Sequence, residues 1–451
     1  MKKKKPEITS GLPSTAVDLV EKLEIKSATI AVIGMGYVGL PLTKAILDAG
    51  LSVIGFDTDE SKIAKLRNGE NYLSHLGESF VDDLNSSGRL LASSEESKLR
   101  DANVIILCVP TPLGSHDEPD LSAVINSVEV VARHLQKGQL VVLESTTYPG
   151  TTRGEVLPIL RRSGLELGKD FFLAYSPERE DPGRAKTTTS NIPKLVGGVD
   201  EASTRVATET YQTFISTVHQ VATAEIAESA KLMENIYRAV NIALINEMKI
   251  ILDRLGIDVW EVIEAASSKP FGFHPFFPGP GLGGHCIPVD PFYLTWKAKA
   301  VEYRTRFIEL AGEINRNMPE FVVSKIAGAL NENKKPLAGS RILIIGVAYK
   351  KDVDDLRESP ALRIMNQLYK KGAAVMYHDP HIQHVSKEPE CELVLSSIDL
   401  TEASLQQADC VVITTDHTCI DYTLIGKHSK VVVDTRNAMH NIPMSCKLIK
   451  S

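Results

Sequence analysis

The sequence predicts an α/β protein in which two Rossmann-like, doubly wound domains are joined by a central helical domain with a long helix. Three observations carry that expectation. A glycine fingerprint, Gly34-x-Gly36-x-x-Gly39, separates a β-branched run from an apolar-periodic helix, and the following strand ends in Asp57. Four strand-like segments late in the chain repeat the order of four early ones. Between the two sets, residues 223 to 256 form an amphipathic pattern with no glycine until Gly256. The chain is accordingly divided into an N-terminal extension (1 to 26), a dinucleotide-binding domain (27 to 220), a central helical domain (221 to 333) and a second Rossmann-like domain (334 to 451).

A chain of 451 residues is too long for one core, and its hydrophobic and charged fractions, 43% and 24%, are those of a globular protein. The strongest apolar run, VIILCV at 104 to 109, has the length of a buried strand and is too short to span a bilayer. The basic start, MKKKKPEITSG, is not followed by an apolar region, so no signal peptide is read and a cytoplasmic protein without a membrane partner is expected. A net charge of −7 argues against nucleic acid as a partner. Six scattered cysteines without a C-x-x-C pair indicate neither a metal site nor a disulfide framework, and most are expected in the core.

In chain order, the polar first 26 residues read as an appendage. ATIAVIGMGYVGLPLTKAILDAG (28 to 50) and LSVIGFD (51 to 57) then supply strand, glycine turn, helix, strand and acid. Gly36 lets a pyrophosphate rest on the helix N-terminus, where unpaired N–H groups favour negative charge. Asp57 is placed to accept from ribose hydroxyls and to repel a 2′-phosphate, so NAD is expected rather than NADP. The strands ending in Pro110-Thr111-Pro112 and in Ser145-Thr146-Thr147 turn their C-terminal ends to the same crevice. FFLAYSPERED (171 to 181) offers Glu178, which reads equally as a solvated surface acid.

The long helical stretch carries Lys231, Asn235 and Arg238 at spacings of four and three, so they project from one face. A helix this apolar is expected to be covered on several sides, including by a second subunit. It leads to PGPGLGGHCIPVDP (278 to 291), the stretch the chain is organised around. Four glycines remove side chains, leaving room for backbone N–H groups to approach a ligand closely, four prolines stiffen the loop, and Cys286 sits inside it with Asp290 four residues on. Two readings stand side by side: a nucleophilic thiol held against a phosphate- or carbonyl-bearing substrate, or a tight turn with an inert cysteine. A second helical pattern runs from 302 to about 333. Beyond it, RILIIGVAYK (341 to 350), AAVMYHDP (373 to 380), DCVVITTDH (409 to 417) and KVVVDTRN (430 to 437) echo the early strands. Val347 and Ala348 stand where the fingerprint needs glycines, so this half is expected to hold the substrate's nucleotide instead.

Taken together these motifs resemble the UDP-glucose/GDP-mannose dehydrogenase family, sugar-nucleotide 6-dehydrogenases. The resemblance covers nearly the whole chain after residue 27: G-x-G-x-x-G, V-P-T-P, S-T-x-x-P-G-T-T, S-P-E-R, the Lys231/Asn235 helix, G-x-G-x-G-G-x-C, G-x-x-Y-K and D-x-R-E-S-P. It implies that Cys286 is the nucleophile, that Lys231 and Asn235 stabilise oxygen charge, that Glu178 acts on water beside Thr146, and that Asp290 supports the cysteine. It further implies that NAD is held by Gly34, Gly36, Tyr37, Val38, Gly39, Asp57, Lys62, Pro110, Thr111, Thr146 and Arg357. On the same grounds a UDP-sugar meets Glu178, Arg179, Glu180, Lys231, Asn235, Arg238, His274, Phe276, Gly283, Lys350 and Arg436, and the protein is a homodimer or higher oligomer. A family glutamate is replaced by Pro182, and its role is vacant or moved to Glu180 or Asp181.

The implied chemistry agrees with the residues: converting a primary alcohol to a carboxylate removes four electrons, and the aldehyde stage needs a nucleophile before it can lose a second hydride. SPEREDPG and the long loop look most like the UDP-N-acetylglucosamine enzymes, and His274-Pro275-Phe276 departs from the H-P-R of the UDP-N-acetylmannosamine ones. UDP-N-acetylglucosamine is therefore the expected substrate, with UDP-N-acetylmannosamine and UDP-glucose as the alternatives. A two-electron dehydrogenase of related architecture would not need Cys286. A non-catalytic NAD-binding scaffold would retain none of the four groups Cys286, Lys231, Asn235 and Glu178 for a reason.

Overall fold

The computed structural model describes residues 10 to 73, 76 and 77, 79 to 114, 116 to 179 and 189 to 451, in two compact units. One comprises Met1–Glu234 with Phe292–Glu302, and the other Asn235–Pro291 with Tyr303–Ser451.

The first unit is built on an eight-stranded sheet. Its strands are β1 (Thr29–Ile33), β2 (Ser52–Phe56), β3 (Leu90–Ser93), β4 (Val104–Leu107), β5 (Gln139–Leu143), β6 (Phe171–Tyr175), β7 (Lys194–Gly198) and β8 (Val218–Gln220). Their spatial order is 3-2-1-4-5-6-7-8. All neighbours are parallel except β6 and β7. The order reverses between β1 and β4, and a ligand crevice is expected outside the C-terminal ends of strands at such a switch point. Strands buried on both faces read as continuous β-branched runs. Ile30, Val32, Val104 and Ile106 enter one core, while Ala31, Ile33, Ile105 and Leu107 enter the other. Within the N-terminal extension, residues 14 to 24 are not the appendage that their polarity suggests. Helix Ser14–Glu24 buries Ala16, Leu19, Val20 and Leu23, and three of these four belong to the first core. Its polar residues occupy only the outer face.

The second unit contains a five-stranded parallel sheet, β9 (Arg341–Ile345), β10 (Ala374–His378), β13 (Cys410–Ile413), β14 (Val431–Asp434) and β15 (Lys447–Lys450), in the order 10-9-13-14-15. A small antiparallel pair, β11 (His384–Val385) and β12 (Leu395–Ser396), lies between β10 and β13 in sequence. The four repeated segments are thus four neighbouring strands of a second doubly wound sheet. The long helix runs over Ala224–Arg254. Gly256, at φ +72°, ends it, and the Ile257 N–H turns back to the Leu252 carbonyl at 2.9 Å. The second helical pattern is helix Phe307–Glu332. No helix among the described residues is long and apolar enough to cross a membrane.

The cysteines are less buried than their types suggest. Only Cys391 and Cys410 lie in the core, Cys419 is exposed, and Cys108, Cys286 and Cys446 are intermediate.

Candidate active site

The glycine fingerprint follows β1 as the sequence predicts, and its three glycines have different physical reasons. A Cβ on Gly34, at φ +95°, would lie 2.4 Å from the Cys108 carbonyl oxygen, and one on Gly39 would lie 1.9 Å from the Gly34 carbonyl oxygen. These two are demanded by packing between β1, β4 and helix Gly39–Asp48. Beside Gly36 there is open space. This bare, accessible backbone at the start of a helix is what a pyrophosphate needs. At the end of β2, Asp57 accepts from the Met35 N–H at 2.9 Å and the Asp59 N–H at 3.0 Å, and Lys62 Nζ lies 3.5 Å from its carboxylate. A carboxylate has room for about four acceptor contacts, which leaves capacity for ribose hydroxyls. The Gly34–Gly39 turn and Asp57 therefore have the chemistry that NAD would need.

The loops after β4 and β5 are tied together. Ser145 Oγ donates to the Val109 carbonyl at 2.6 Å and accepts from the Val109 N–H at 3.0 Å. Tyr293, fully buried, donates to the Thr111 carbonyl at 3.0 Å. This bracing ties together the loops that carry Pro110, Thr111 and Thr146 after the C-terminal ends of β4 and β5. Tyr37 and Val38 lie in the turn between Gly36 and Gly39.

Lys231 and Glu178 meet in the same unit. Lys231 Nζ donates to the Glu178 backbone carbonyl at 2.5 Å and lies 3.5 Å from its carboxylate, and the two residues are only 5% and 8% exposed. Glu178 is therefore not the solvated surface acid that its sequence also allowed. Arg179 pairs with Glu234 and donates to the Pro193 carbonyl at 2.8 Å. Glu180 and the neighbouring Asp181 and Pro182 lie outside the described residues.

In the second unit the Cys286 carbonyl accepts from the Val289 N–H at 3.2 Å and the Asp290 N–H at 2.8 Å, so the cysteine opens the turn that leads into helix Asp290–Ala298. The buried Asp290 carboxylate accepts from Asn235 Nδ2. Asn235, Asp290 and the Cys286 turn thus form one linked group. The glycines before the cysteine are filled by the protein itself. Cβ atoms on Gly279, Gly281, Gly283 and Gly284 would strike Arg436 Nη1 at 2.8 Å, Pro360 at 3.0 Å, Tyr349 Cβ at 2.7 Å and the Tyr349 ring at 2.8 Å. The sequence reading gave their purpose as room for a ligand; the contacts on these Cα faces are packing. Arg436 Nε donates to the Thr414 carbonyl at 2.9 Å, and Arg357 forms a fork with Asp355 at 2.6 to 3.0 Å. Lys350 is half-buried on the segment after β9. Tyr237, His274 and Phe276 form an aromatic cluster with ring centroids 5.0 to 6.2 Å apart, in which Tyr237 and His274 are exposed and Phe276 is half-buried, and the Tyr237 hydroxyl lies 3.1 Å from His274 Nδ1. Arg238 is exposed on the same helix as Lys231 and Asn235.

Two groups escaped the sequence reading. Glu144, at the end of β5, is buried with Lys194 and the Tyr211 hydroxyl on its two oxygens. Burial outweighs both partners and holds its carboxyl above the usual carboxylate range. Its position in LVVLESTT, directly before the serine and threonines, was the available signal. Asn246 and Asn315 are the second group: Asn246 Oδ1 accepts from the Gly279 N–H at 3.0 Å, its amide donates to Asn315 Oδ1 at 2.9 Å, and Asn315 donates to the Ala239 carbonyl at 3.0 Å. No local pattern marks them, because each lies mid-helix.

The chain matches three models of the UDP-glucose/GDP-mannose dehydrogenase family: the NAD binding domain over residues 28 to 215, the central domain over 225 to 317 and the UDP binding domain over 343 to 441. A UDP-N-acetyl-D-glucosamine 6-dehydrogenase of Salmonella typhi is 36% identical over 397 residues, 87% of this chain and 91% of that one. A UDP-N-acetyl-D-mannosamine dehydrogenase of Pyrococcus horikoshii is 35% identical over 426 residues, 92% of this chain and 97% of that one. Among solved structures, a UDP-D-ManNAc dehydrogenase from Pyrococcus horikoshii superposes with a TM-score of 0.85 at 34% identity, covering 93% of this chain and 98% of its own.

Proposed function

The chain belongs to the UDP-glucose/GDP-mannose dehydrogenase family and is an NAD-dependent nucleotide-sugar dehydrogenase, and from that premise we propose that it oxidises C6 of UDP-N-acetylglucosamine to the carboxylate in two steps through Cys286. The observation that carries this reading is the linked group in the second unit: the half-buried Cys286, whose own carbonyl opens the helix of a buried Asp290, itself held by Asn235.

The proposed roles follow from what each step requires. The Gly34–Gly39 turn and Asp57, with Pro110, Thr111 and Thr146, would hold NAD, which would accept one hydride in each oxidation, so that two NAD are reduced in turn per sugar; Arg357 is a further proposed cofactor contact. After the first oxidation, Cys286 sulfur adds to the C6 aldehyde carbon, and the carbonyl oxygen becomes a thiohemiacetal oxygen. Oxidation of that adduct leaves a thioester, and water then adds to its carbon and expels the thiol as the acid forms. Oxygen charge develops at each tetrahedral stage; Lys231 and Asn235 are the donors for it, and one such donor is worth ~3 kcal/mol. Glu178, with Thr146, is the group that takes a proton from the hydrolytic water. Asp290 keeps Asn235 oriented through their hydrogen bond.

The N-acetylglucosamine assignment is supported by Phe276 in place of an arginine and by two UDP-N-acetyl-D-glucosamine 6-dehydrogenases that are 36% and 37% identical to the chain. The UDP group is proposed to meet Lys350 and Arg436, and Arg179, Arg238, His274 and Gly283 complete the proposed substrate contacts. The division into domains at 27 to 220, 221 to 333 and 334 to 451 is part of the same proposal.

The decisive experiment supplies UDP-N-acetylglucosamine, UDP-N-acetylmannosamine and UDP-glucose separately as the limiting reagent and counts NADH per sugar. Two NADH with UDP-N-acetylglucosamine, and no acid from Cys286→Ser, are expected. One NADH per sugar would remove the thioester route, and preference for another sugar would remove the role of Phe276.

A further inference from the structure

The second unit holds a buried histidine that the proposed reaction does not use. His417 is fully enclosed between two acids: its Nε2 lies 3.1 Å from the Asp379 carboxylate, and its Nδ1 accepts from the Asp352 backbone N–H at 3.0 Å. Only the neutral tautomer with hydrogen on Nε2 satisfies both contacts. Both ring nitrogens are thereby engaged, so that among the described residues the nearby Asp352 and His381 lack a third donor for a metal ion.

The same two residues hold one short segment at both ends. Asp379 Oδ2 accepts from the Val347 N–H at 2.6 Å and the Ala348 N–H at 3.0 Å, His417 receives the Asp352 N–H, and Thr415 Oγ1 donates to the Ala348 carbonyl at 2.6 Å. Midway along this segment stands Tyr349, whose own N–H donates to the Asp355 carbonyl at 2.9 Å. Its ring lies against Gly284, where a Cβ would meet three ring atoms at 2.8 to 3.2 Å, and its Cβ lies against Gly283. Alongside, the Gly284 N–H donates to the Arg357 carbonyl at 3.0 Å. Two residues later comes Cys286, which the turn to Val289 and Asp290 secures on its other side.

We propose that Tyr349 is a positioning residue for Cys286: its ring is the seat of the glycine loop, and the Asp379–His417 pair holds the segment that presents it. The inference rests on the reading of Cys286 as the nucleophile. It accounts for the paired glycines, since a side chain at Gly283 or Gly284 would lift the loop from its seat. Lys350 follows Tyr349 directly, so the segment that carries the proposed UDP contact is also the one that seats the nucleophile.

The test uses the full-length enzyme with Tyr349→Ala, Tyr349→Leu, Tyr349→Phe and Cys286→Ser. Turnover is measured beside the rate at which iodoacetamide alkylates Cys286, read on the Cys286 peptide by mass spectrometry. A misplaced nucleophile costs about 10²-fold, so Tyr349→Ala is expected to lower kcat by that order, to leave KM for NAD unchanged and to change Cys286 alkylation by about threefold or more. Tyr349→Phe, which keeps the ring, is expected to restore both. Loss of folded protein alone would lower activity without altering the alkylation rate of the folded fraction, and that result overturns the proposal, as does wild-type behaviour of the alanine variant. Where Tyr349→Ala does not fold, Tyr349→Leu is read by the same criteria. Full turnover by Cys286→Ser would instead remove the nucleophile reading, while the alkylation rates still report on the seat.

Discussion

Glu228 carries a prediction that belongs to a single side chain. It is fully buried on the long helix, one turn before Lys231, and accepts from the Gly150 N–H at 2.5 Å, the Thr152 N–H at 2.8 Å and Thr152 Oγ1 at 2.7 Å. It thereby ties the helix of Lys231 to the loop that follows Thr146. Burial pushes its carboxyl up to about 7, against the hydrogen bonds from Thr152 and Gly150. A carboxyl raised in the folded state binds its proton more tightly there than in the unfolded chain. Its contribution is therefore fully present below pH 4.5 and is lost as pH rises through about 7, a change on the order of 3 kcal/mol. Glu228→Gln cannot ionise. Its melting temperature is expected to fall below that of the wild type at pH 5, where the amide disturbs the three acceptor contacts, and the deficit is expected to shrink by pH 8.5. A deficit independent of pH would show that Glu228 does not titrate in this range.

The fingerprint turn and its helix carry the prediction at the scale of an element. Gly39 is closed by the Gly34 carbonyl, whereas Gly36 faces open space. Gly39→Ala is therefore expected to destabilise the first unit by about 2 kcal/mol through overpacking. Gly36→Ala is expected to leave thermal stability near that of the wild type while weakening NAD by about tenfold, because the added methyl stands where the pyrophosphate approaches. Thermal melts and NAD titration of the two variants separate the roles. Equal NAD affinity in Gly36→Ala would mean that the cofactor does not use this face of the turn.

At the scale of the molecule, the long helix and Leu255, whose N–H still bonds the Ile251 carbonyl just past its end, leave Tyr237, Leu244, Ile251 and Leu255 between 47% and 66% exposed, at spacings of seven, seven and four that align them in one stripe. Four large apolar residues on one exposed helix face favour an interface between copies of the chain. The expected state is a homodimer, and Leu244→Glu with Leu255→Glu is expected to convert it to a monomer in light scattering. A monomeric wild type would remove this reading.

The linear order of residues was sufficient for both doubly wound sheets, the long helix to within two residues of its ends, and the glycine turn with the acid that follows it. These features are local: strand and helix periods, a glycine turn and a following acid are written within tens of residues. It also allowed Cys286, Lys231, Asn235 and Glu178 to be singled out. What those letters left open was decided by contacts between distant segments. Helix Ser14–Glu24 reads as polar until the first core covers its apolar face. Glu178 reads as a surface acid until Lys231, 53 residues away, meets it. The glycines before Cys286 read as space for a ligand until Tyr349 and Pro360 are seen to fill their Cα faces. Periodicity sets which side of an element is apolar, but only the packed chain determines which neighbour that side meets.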